Sequence, residues 1–330
     1  MSLKAIASVL GLSVTTVSRA LNGYEDVAEE TRRRVEAEAQ RRGYRPNAAA
    51  RRLKTGRANA VGLVFPASTS PVSDCRFSEM LVTLDQRLAQ QEIDLLLLAD
   101  KPHDSPRTLI RLLRSRVLDA LVVTHTAPLD ERLLSLQQKG FCFMTLGRSD
   151  LPQPYAWLDV DHQRGSRMAV EACLQQGLTR IAWLGSDEAT TFVRDRRQGF
   201  LDAMGDIAPA ATAAVAPSRR AGYQQAQAWL AQDGACALQA IITDSSALAE
   251  GAALALQQAN RLYGSQAVRL FAWEGLPREA IVAAPVTAIR QASDRETGEQ
   301  LADMLVQMLN GAPLTTLQLL RQPWLDHSPG

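Results

Sequence analysis

The chain has 330 residues, with 36 lysines and arginines against 35 aspartates and glutamates, so its formal net charge is +1. Hydrophobic residues make up 46% and charged residues 22%, ordinary globular usage that excludes a disordered chain. At roughly 100–200 residues per domain, the length accommodates two or three domains. No apolar stretch approaches the ~18 residues of a membrane span. Residues 1–16 contain no basic-apolar-small leader. Cys75, Cys142, Cys173 and Cys236 form no CxxC pair and read as buried thiols of a reducing cytoplasm, not as a zinc site or a disulfide framework.

The neutral total hides an asymmetry. Residues 1–57 hold 12 basic and six acidic side chains, a net of +6, which leaves −5 on the rest. A small basic module on a larger acidic body points to a polyanion partner for the module. Basic surface helices with no nucleic-acid role give the same count.

In chain order, Leu3, Ile6, Ala7 and Leu10 follow the spacing of a short amphipathic helix, and Gly11 suits its left-handed end. Ser13 is a good N-cap for a second helix over 14–21, closed by Asn22-Gly23. Two short helices around a tight turn make a helix-turn-helix. Thr15, Thr16, Ser18, Arg19 and Asn22 form the polar face of the second, while Val17 and Leu21 pack on the first. Short hydroxyls and an arginine suit contact with phosphates and base edges in the major groove. A third helix is expected over 28–42, with Val35 and Ala39 inward and Gly43 as its stop. Pro46 then breaks the chain, and Asn47 can cap a helix of about two turns that is marginal alone. Leu53, between Arg52 and Lys54, can wedge between base steps in the minor groove, or simply pack on its own domain.

Residues 3–56 closely resemble the DNA-binding headpiece and hinge of the lactose-repressor (LacI/GalR-type) family of bacterial transcription regulators. The match is carried by Ile6-Ala7, Gly11, Ser13, the run Thr16 to Asn22, Val27, Thr31-Arg32, Val35, Gly43-Tyr44, Pro46-Asn47, Ala50, Leu53 and Thr55-Gly56. The resemblance implies that Val14, Thr15 and Ser18 read operator bases, that Thr16 and Arg19 contact backbone or bases nearby, and that Leu53 is the minor-groove lever. Ser13, Asn22, Asn47 and Ala50 complete the expected DNA surface. Ala28 stands where the family usually has a capping serine.

From Ala58 the texture changes to short apolar runs alternating with helix-length stretches. Strands are expected at 60–65, 94–98, 120–123, 141–145, 156–160, 181–184, 240–242, 269–271 and 287–289. Helices are expected at 77–91, 106–116, 129–139 and 163–176. Such alternation gives parallel α/β units, too many for one sheet, so two doubly wound subdomains are expected with a ligand cleft beyond their strand ends. The Ala-rich stretch 208–216 reads as a loop, and no internal repeat is evident.

The body is also similar to the effector domain of the same family, itself similar to periplasmic sugar-binding proteins. Asp161, Gly165, Gly177, Arg180-Ile181, residues 196–200 and residues 291–298 carry that likeness. It implies a headpiece at 1–46, a hinge helix and linker at 47–57, and an effector-binding and dimerisation domain at 58–330. Within the last, the N-subdomain takes about 58–160 and 292–320, and the C-subdomain about 161–290 and 321–330. It also implies a sugar pocket: Arg196 as the clamp on sugar hydroxyls, Asp244 at a strand end after Thr243, Glu274 in place of a usual Asp, Phe77 as an apolar wall and Gln291 at a crossover. Trp273, Phe192 and Trp183 offer stacking faces or core packing. The finest resemblance is to repressors of α-galactoside (raffinose-type) utilisation.

No Walker loop, GxSxG elbow, HExxH or paired-carboxylate motif is present, and the four histidines are isolated along the chain, so neither catalysis nor a metal or cofactor is expected. The expected protein is a cytoplasmic homodimer, nucleoid-associated when bound, that represses a carbohydrate operon and leaves its operator when a sugar binds. Its short tail after Trp324 carries no heptads for a tetramer. A regulator answering to a non-sugar ligand or a protein corepressor is the alternative. A solute-binding protein or sugar enzyme is the alternative from another class.

Overall fold

The computed structural model describes residues 3–21, 24, 26–44, 56–66, 75–100, 117–232 and 238–326. The chain forms two compact units, Met1–Ala58 and Asn59–Gly330. Among the described residues there are ten α-helices.

The first unit contains α1 (Leu3–Leu10), α2 (Val14–Leu21) and α3 (Glu29–Arg41). Gly11, at φ 65°, ends α1 with a bond from the Leu12 N–H to the Ala7 carbonyl. The Ser13 Oγ accepts from the Thr16 N–H at 2.9 Å and so caps α2. Ile6, Val17 and Val35, one from each helix, are fully buried and make the centre of a small core that Ala20 and Ala39 complete. The third helix starts one residue later than expected, with Ala28 at its N-cap position and no side-chain hydrogen bond capping it. Glu29 and Glu30 in its first turn complement the helix dipole instead. Of the expected hinge helix and linker at 47–57, residues 47–55 lie outside the described residues, as does the helix expected at 106–116.

In the second unit, β1 (Ala60–Pro66), α4 (Cys75–Ala89), β2 (Asp94–Asp100), β3 (Ala120–Thr124), α5 (Glu131–Gln138), β4 (Phe143–Leu146) and β5 (Ala156–Val160) build a first half. The second half follows as α6 (His162–Gln175), β6 (Ile181–Ser186), α7 (Thr191–Met204), β7 (Ala211–Val215), α8 (Arg219–Ala231), β8 (Ala240–Thr243), α9 (Ser246–Gln258), β9 (Arg269–Trp273) and β10 (Val286–Arg290). The chain then returns as α10 (Asp294–Leu309) and β11 (Gln318–Arg321) to the first half, and ends as β12 (Trp324–Asp326) on the second.

Each half has a six-stranded sheet, ordered β11-β5-β4-β3-β1-β2 and β12-β10-β9-β8-β6-β7. All pairings are parallel except β10 with β12. The two orders are the same, a repetition that no sequence repeat announces. Helices cover the parallel sheets, so the central strands are apolar throughout, and all five residues of β3 are buried. Ala211–Val215, expected as a loop, is instead an edge strand paired with β6. Its alanines give no apolar–polar alternation to read.

The two halves meet through short crossovers, from β5 into α6, from β10 into α10 and from β11 into β12. At α6 and α7 the backbones touch: a Cβ on Gly199 would lie 2.1 Å from the Gln163 carbonyl oxygen. Backbone cannot rotate away as a side chain can. Gly199→Ala is therefore expected to cost about 2–3 kcal/mol in urea unfolding. A cost below about 0.5 kcal/mol, the level of a surface change, would mean that α6 and α7 separate freely.

Candidate functional site

The headpiece presents one side of α2. Ser13 and Thr15 are exposed, Val14 is 40% exposed, and Thr16, Ser18 and Arg19 are partly exposed. Their neighbours Val17 and Ala20 face the core. Arg19 is held from α2 by Asp26, with Nε donating to Oδ1 at 3.1 Å, and its guanidinium lies 5.0 Å from the Tyr24 ring centroid. A cation in this fork is aimed before any ligand arrives. Asn22, Asn47, Ala50 and Leu53 lie outside the described residues.

The second unit contains a cavity of about 300 Å³ between its halves, at the carboxyl ends of both sheets. Apolar walls come from Phe77 and Met80 on α4, Leu146, Leu158, Val160 and Phe192. Polar groups converge from His125, Asp159, His162, Arg196, Glu274, Gln291, Asp294 and Arg321. Two lining residues have left-handed backbones without being glycine, His125 at φ 51° and Glu274 at φ 64°. Strain of this kind persists where a surrounding structure fixes it, and it clusters at ligand clamps.

Arg196 is the most constrained polar group. It stands on α7, is only 8% exposed, and lies against two rings, with its guanidinium carbon 4.1 Å from the Trp273 centroid and 4.8 Å from that of Phe192. Its Nη1 donates to the Asp244 carbonyl at 2.5 Å and its Nε to the His162 Nδ1 at 3.2 Å. Burial lowers its pKa to about 10, so it remains a cation at neutral pH. Among the described residues, no protein acceptor engages Nη2. An aromatic-backed cation with one donor left over suits two vicinal hydroxyls or another neutral polyol.

Of the expected pocket residues, the cavity brings together Phe77, Arg196, Glu274 and Gln291. Thr243, Asp244 and Trp273 do not line it. Trp273 is fully buried because it still pairs in β9, beside Ile289 of β10, and its ring packs under Arg196. The Thr243 hydroxyl turns inward to the Phe271 and Ser245 carbonyls. The Asp244 side chain accepts from the Ser186 N–H at 2.6 Å, while its Oδ1 is buried with no hydrogen-bond partner. Burial raises its carboxyl pKa to about 6, and the nearby Glu188 adds to the rise. Of the three candidate stacking faces only Phe192 reaches the cavity, Trp183 being 2% exposed.

Sequence reasoning missed His125, Asp159 and His162. The histidines isolated along the chain are close in space, with ring centroids 6.0 Å and 5.9 Å from that of Phe192. The signal for one of them was present, since Asp159 and His162 are spaced i, i+3 across the β5–α6 crossover. Charged pairs also bridge the halves: Arg194 to Asp150 at 2.7 Å and Arg278 to Glu79 at 3.0 Å. A backbone bond from the Thr191 N–H to the Thr126 carbonyl, at 2.8 Å, joins them as well. Cys173 is buried, which pushes its thiol up to about 12, so it is inert. No cluster of metal-binding side chains occurs among the described residues, and no described helix is long and apolar enough to cross a membrane.

Residues 58–318 match the profile of periplasmic binding proteins and the sugar-binding domain of the LacI family, and residues 2–47 match that of bacterial regulatory proteins of the lacI family. The chain belongs to the LacI family. Across 325 residues it is 43% identical to the HTH-type transcriptional regulator RafR of Escherichia coli, covering 98% of this chain and 96% of that one. It is 34% identical over 312 residues to the transcriptional regulator AglR of Rhizobium meliloti, covering 92% and 87%. A crystal structure of the lac repressor dimer bound to operator and the anti-inducer ONPF has the same fold, with a TM-score of 0.83 at 21% identity over 98% of this chain and 97% of that one. This LacI-family chain is therefore a DNA-binding transcription regulator and not an enzyme.

Proposed function

We propose that this regulator is a cytoplasmic homodimeric repressor of a carbohydrate-utilisation operon, released from its operator by an α-galactoside. The observation that carries the sugar half is Arg196, a buried cation against two aromatic rings with Nη2 left for a ligand, in a cavity that combines apolar walls with convergent polar groups. Phe77, Glu274 and Gln291 contact the sugar beside it, and Thr243, Asp244 and Trp273 act from behind. The likeness to RafR, a regulator of the raffinose operon, supports the choice of sugar class. In the headpiece, Ser13, Val14, Thr15, Thr16, Ser18 and Arg19 meet the operator, together with Asn22, Asn47, Ala50 and Leu53. Two subunits place two α2 helices on a pseudo-palindromic site.

Operator and sugar favour different arrangements of one protein, so each weakens the other through a single coupling free energy, typically ~1–3 kcal/mol. The test is a DNA-binding titration on promoter fragments beside its own gene at fixed salt, with raffinose, melibiose, galactose or no sugar. Salt is held constant because phosphate contacts dominate affinity. Specific binding released by raffinose or melibiose is expected. Specific binding indifferent to every sugar would overturn the effector assignment and leave the DNA assignment standing.

A further inference from the structure

The cavity contains a line of polar contacts that begins in the first half of the body and ends on Arg196. Arg148, in the loop after β4, donates from Nε to the Asp159 Oδ2 at 2.7 Å. The Asp159 Oδ1 lies 3.3 Å from the His162 Nε2. The His162 Nδ1 accepts from the Arg196 Nε at 3.2 Å, and the Arg196 Nη1 reaches the Asp244 carbonyl. Arg148, Asp159 and His162 are absent from the sugar reading of the site, yet Asp159 and His162 line the same cavity.

We propose that His162 is a positioning residue that acts in a single tautomer, with its proton on Nε2, and that it fixes the Arg196 guanidinium and ties it through Asp159 and Arg148 to the first half of the body. The tautomer follows from the donor count. A guanidinium has only donors, so the ring nitrogen that meets it must carry a lone pair. That nitrogen is Nδ1, which leaves the proton on Nε2, facing an ionised carboxylate. Protonation of the ring would set a donor against a donor at Arg196 and undo the contact. The consequence for sugar binding rests on the proposed function; the tautomer does not.

The groups around the ring support the neutral form. Asp159 faces it from β5, and Arg196 and Asp195 from α7. The ring lies 5.9 Å from Phe192 of α7 and 5.1 Å from Trp273 of β9. Burial and the Arg196 cation push its pKa below the usual value of 6.5, against the opposing pull of Asp159 and Asp195. Burial disfavours the charge of Asp159, but His162 and Arg148 outweigh it and hold that carboxyl below its usual range. The ring is therefore neutral in the cytoplasmic pH range and becomes charged only under acid conditions. Asp244, the other group near Arg196 that titrates under mild acid, does so in every His162 variant alike.

Two measurements on the full-length protein decide the proposal. Long-range proton–nitrogen NMR of ¹⁵N-histidine-labelled protein at about pH 7.5 reads the tautomer directly. His162, assigned by the loss of its signals in His162→Gln, is expected to show a bare Nδ1 and a protonated Nε2. A proton on Nδ1, or an imidazolium, would overturn the proposal whatever the ligand. Calorimetric titration with melibiose reads the consequence. Wild-type affinity is expected to stay level from about pH 7.5 down to the usual histidine value of 6.5, and then to fall under more acid conditions as the ring takes its proton, by about tenfold at full protonation, the value of one charge-assisted hydrogen bond. His162→Gln, whose amide offers an acceptor and a donor without a titrating charge, is expected to show a much shallower fall. His162→Ala is expected to bind weakly at every pH. Parallel falls in wild type and His162→Gln would overturn the positioning role. Failure of the wild type to bind melibiose, raffinose or galactose at any pH would overturn the sugar reading instead, and the NMR result would still decide the tautomer.

Discussion

Arg196→Ala is expected to weaken melibiose or raffinose binding roughly a hundredfold or more, a loss of about 3 kcal/mol. The size follows from what the guanidinium does at once. It lies against Phe192 and Trp273, and it bonds His162 and the Asp244 carbonyl. Truncation removes the ligand donor and also leaves two buried acceptors without their partner, which adds their desolvation to the cost. Arg196→Lys is not expected to restore affinity, because a point charge cannot reach His162, Asp244 and a ligand together. Calorimetry gives the affinity, and an operator titration with sugar gives the loss of release. An unchanged sugar affinity in Arg196→Ala would remove this residue from the pocket.

Asp244→Asn is expected to raise stability near pH 7.5 by about 3 kcal/mol. The sign comes from the raised carboxyl. In the folded chain Asp244 keeps its proton up to about pH 6, whereas in the unfolded chain it loses it near the usual 3.8. The folded state therefore binds the extra proton between those values. Stability owed to this group is fully present below the lower value, falls as pH rises between the two, and stays lost above about 6. Asparagine stays neutral and still offers an oxygen to the Ser186 N–H. The difference between variant and wild type, read by urea unfolding, is expected to be small near pH 4 and full above pH 6. A pH-independent difference would show that burial does not govern this carboxyl. His162 acts in the opposite direction: its lowered pKa makes the folded state lose stability as pH falls below 6.5 toward the folded value. Comparing matched proteins at each pH keeps the two apart.

Much of the fold was legible because its signals are local. Short apolar runs separated by helix-length stretches force a parallel α/β arrangement, and the Ser13 cap and Gly11 turn mark the two headpiece helices directly in sequence. The edge strand at Ala211–Val215 was not legible, since alanines on a half-exposed edge leave no pattern. The cleft was legible where a residue type has few uses. A buried arginine such as Arg196 needs partners, so its position on α7 carried information. The position of Trp273 did not, because the end of β9 is set by backbone geometry. Trp273 still belongs to the sheet and faces inward, whereas Glu274, one residue later, turns through a positive φ into the cavity. The relay through Arg148, Asp159 and His162 depends on three segments meeting at a crossover, which no periodicity encodes.

Those crossovers have a bearing on inheritance. Because the chain passes between the halves three times, each half is assembled from separated stretches, and no single cut in the gene yields either one whole. The module Met1–Ala58 is one uninterrupted stretch. One recombination event near its end can give this sensor a new address on the genome, whereas its sensing halves can only be altered residue by residue, together.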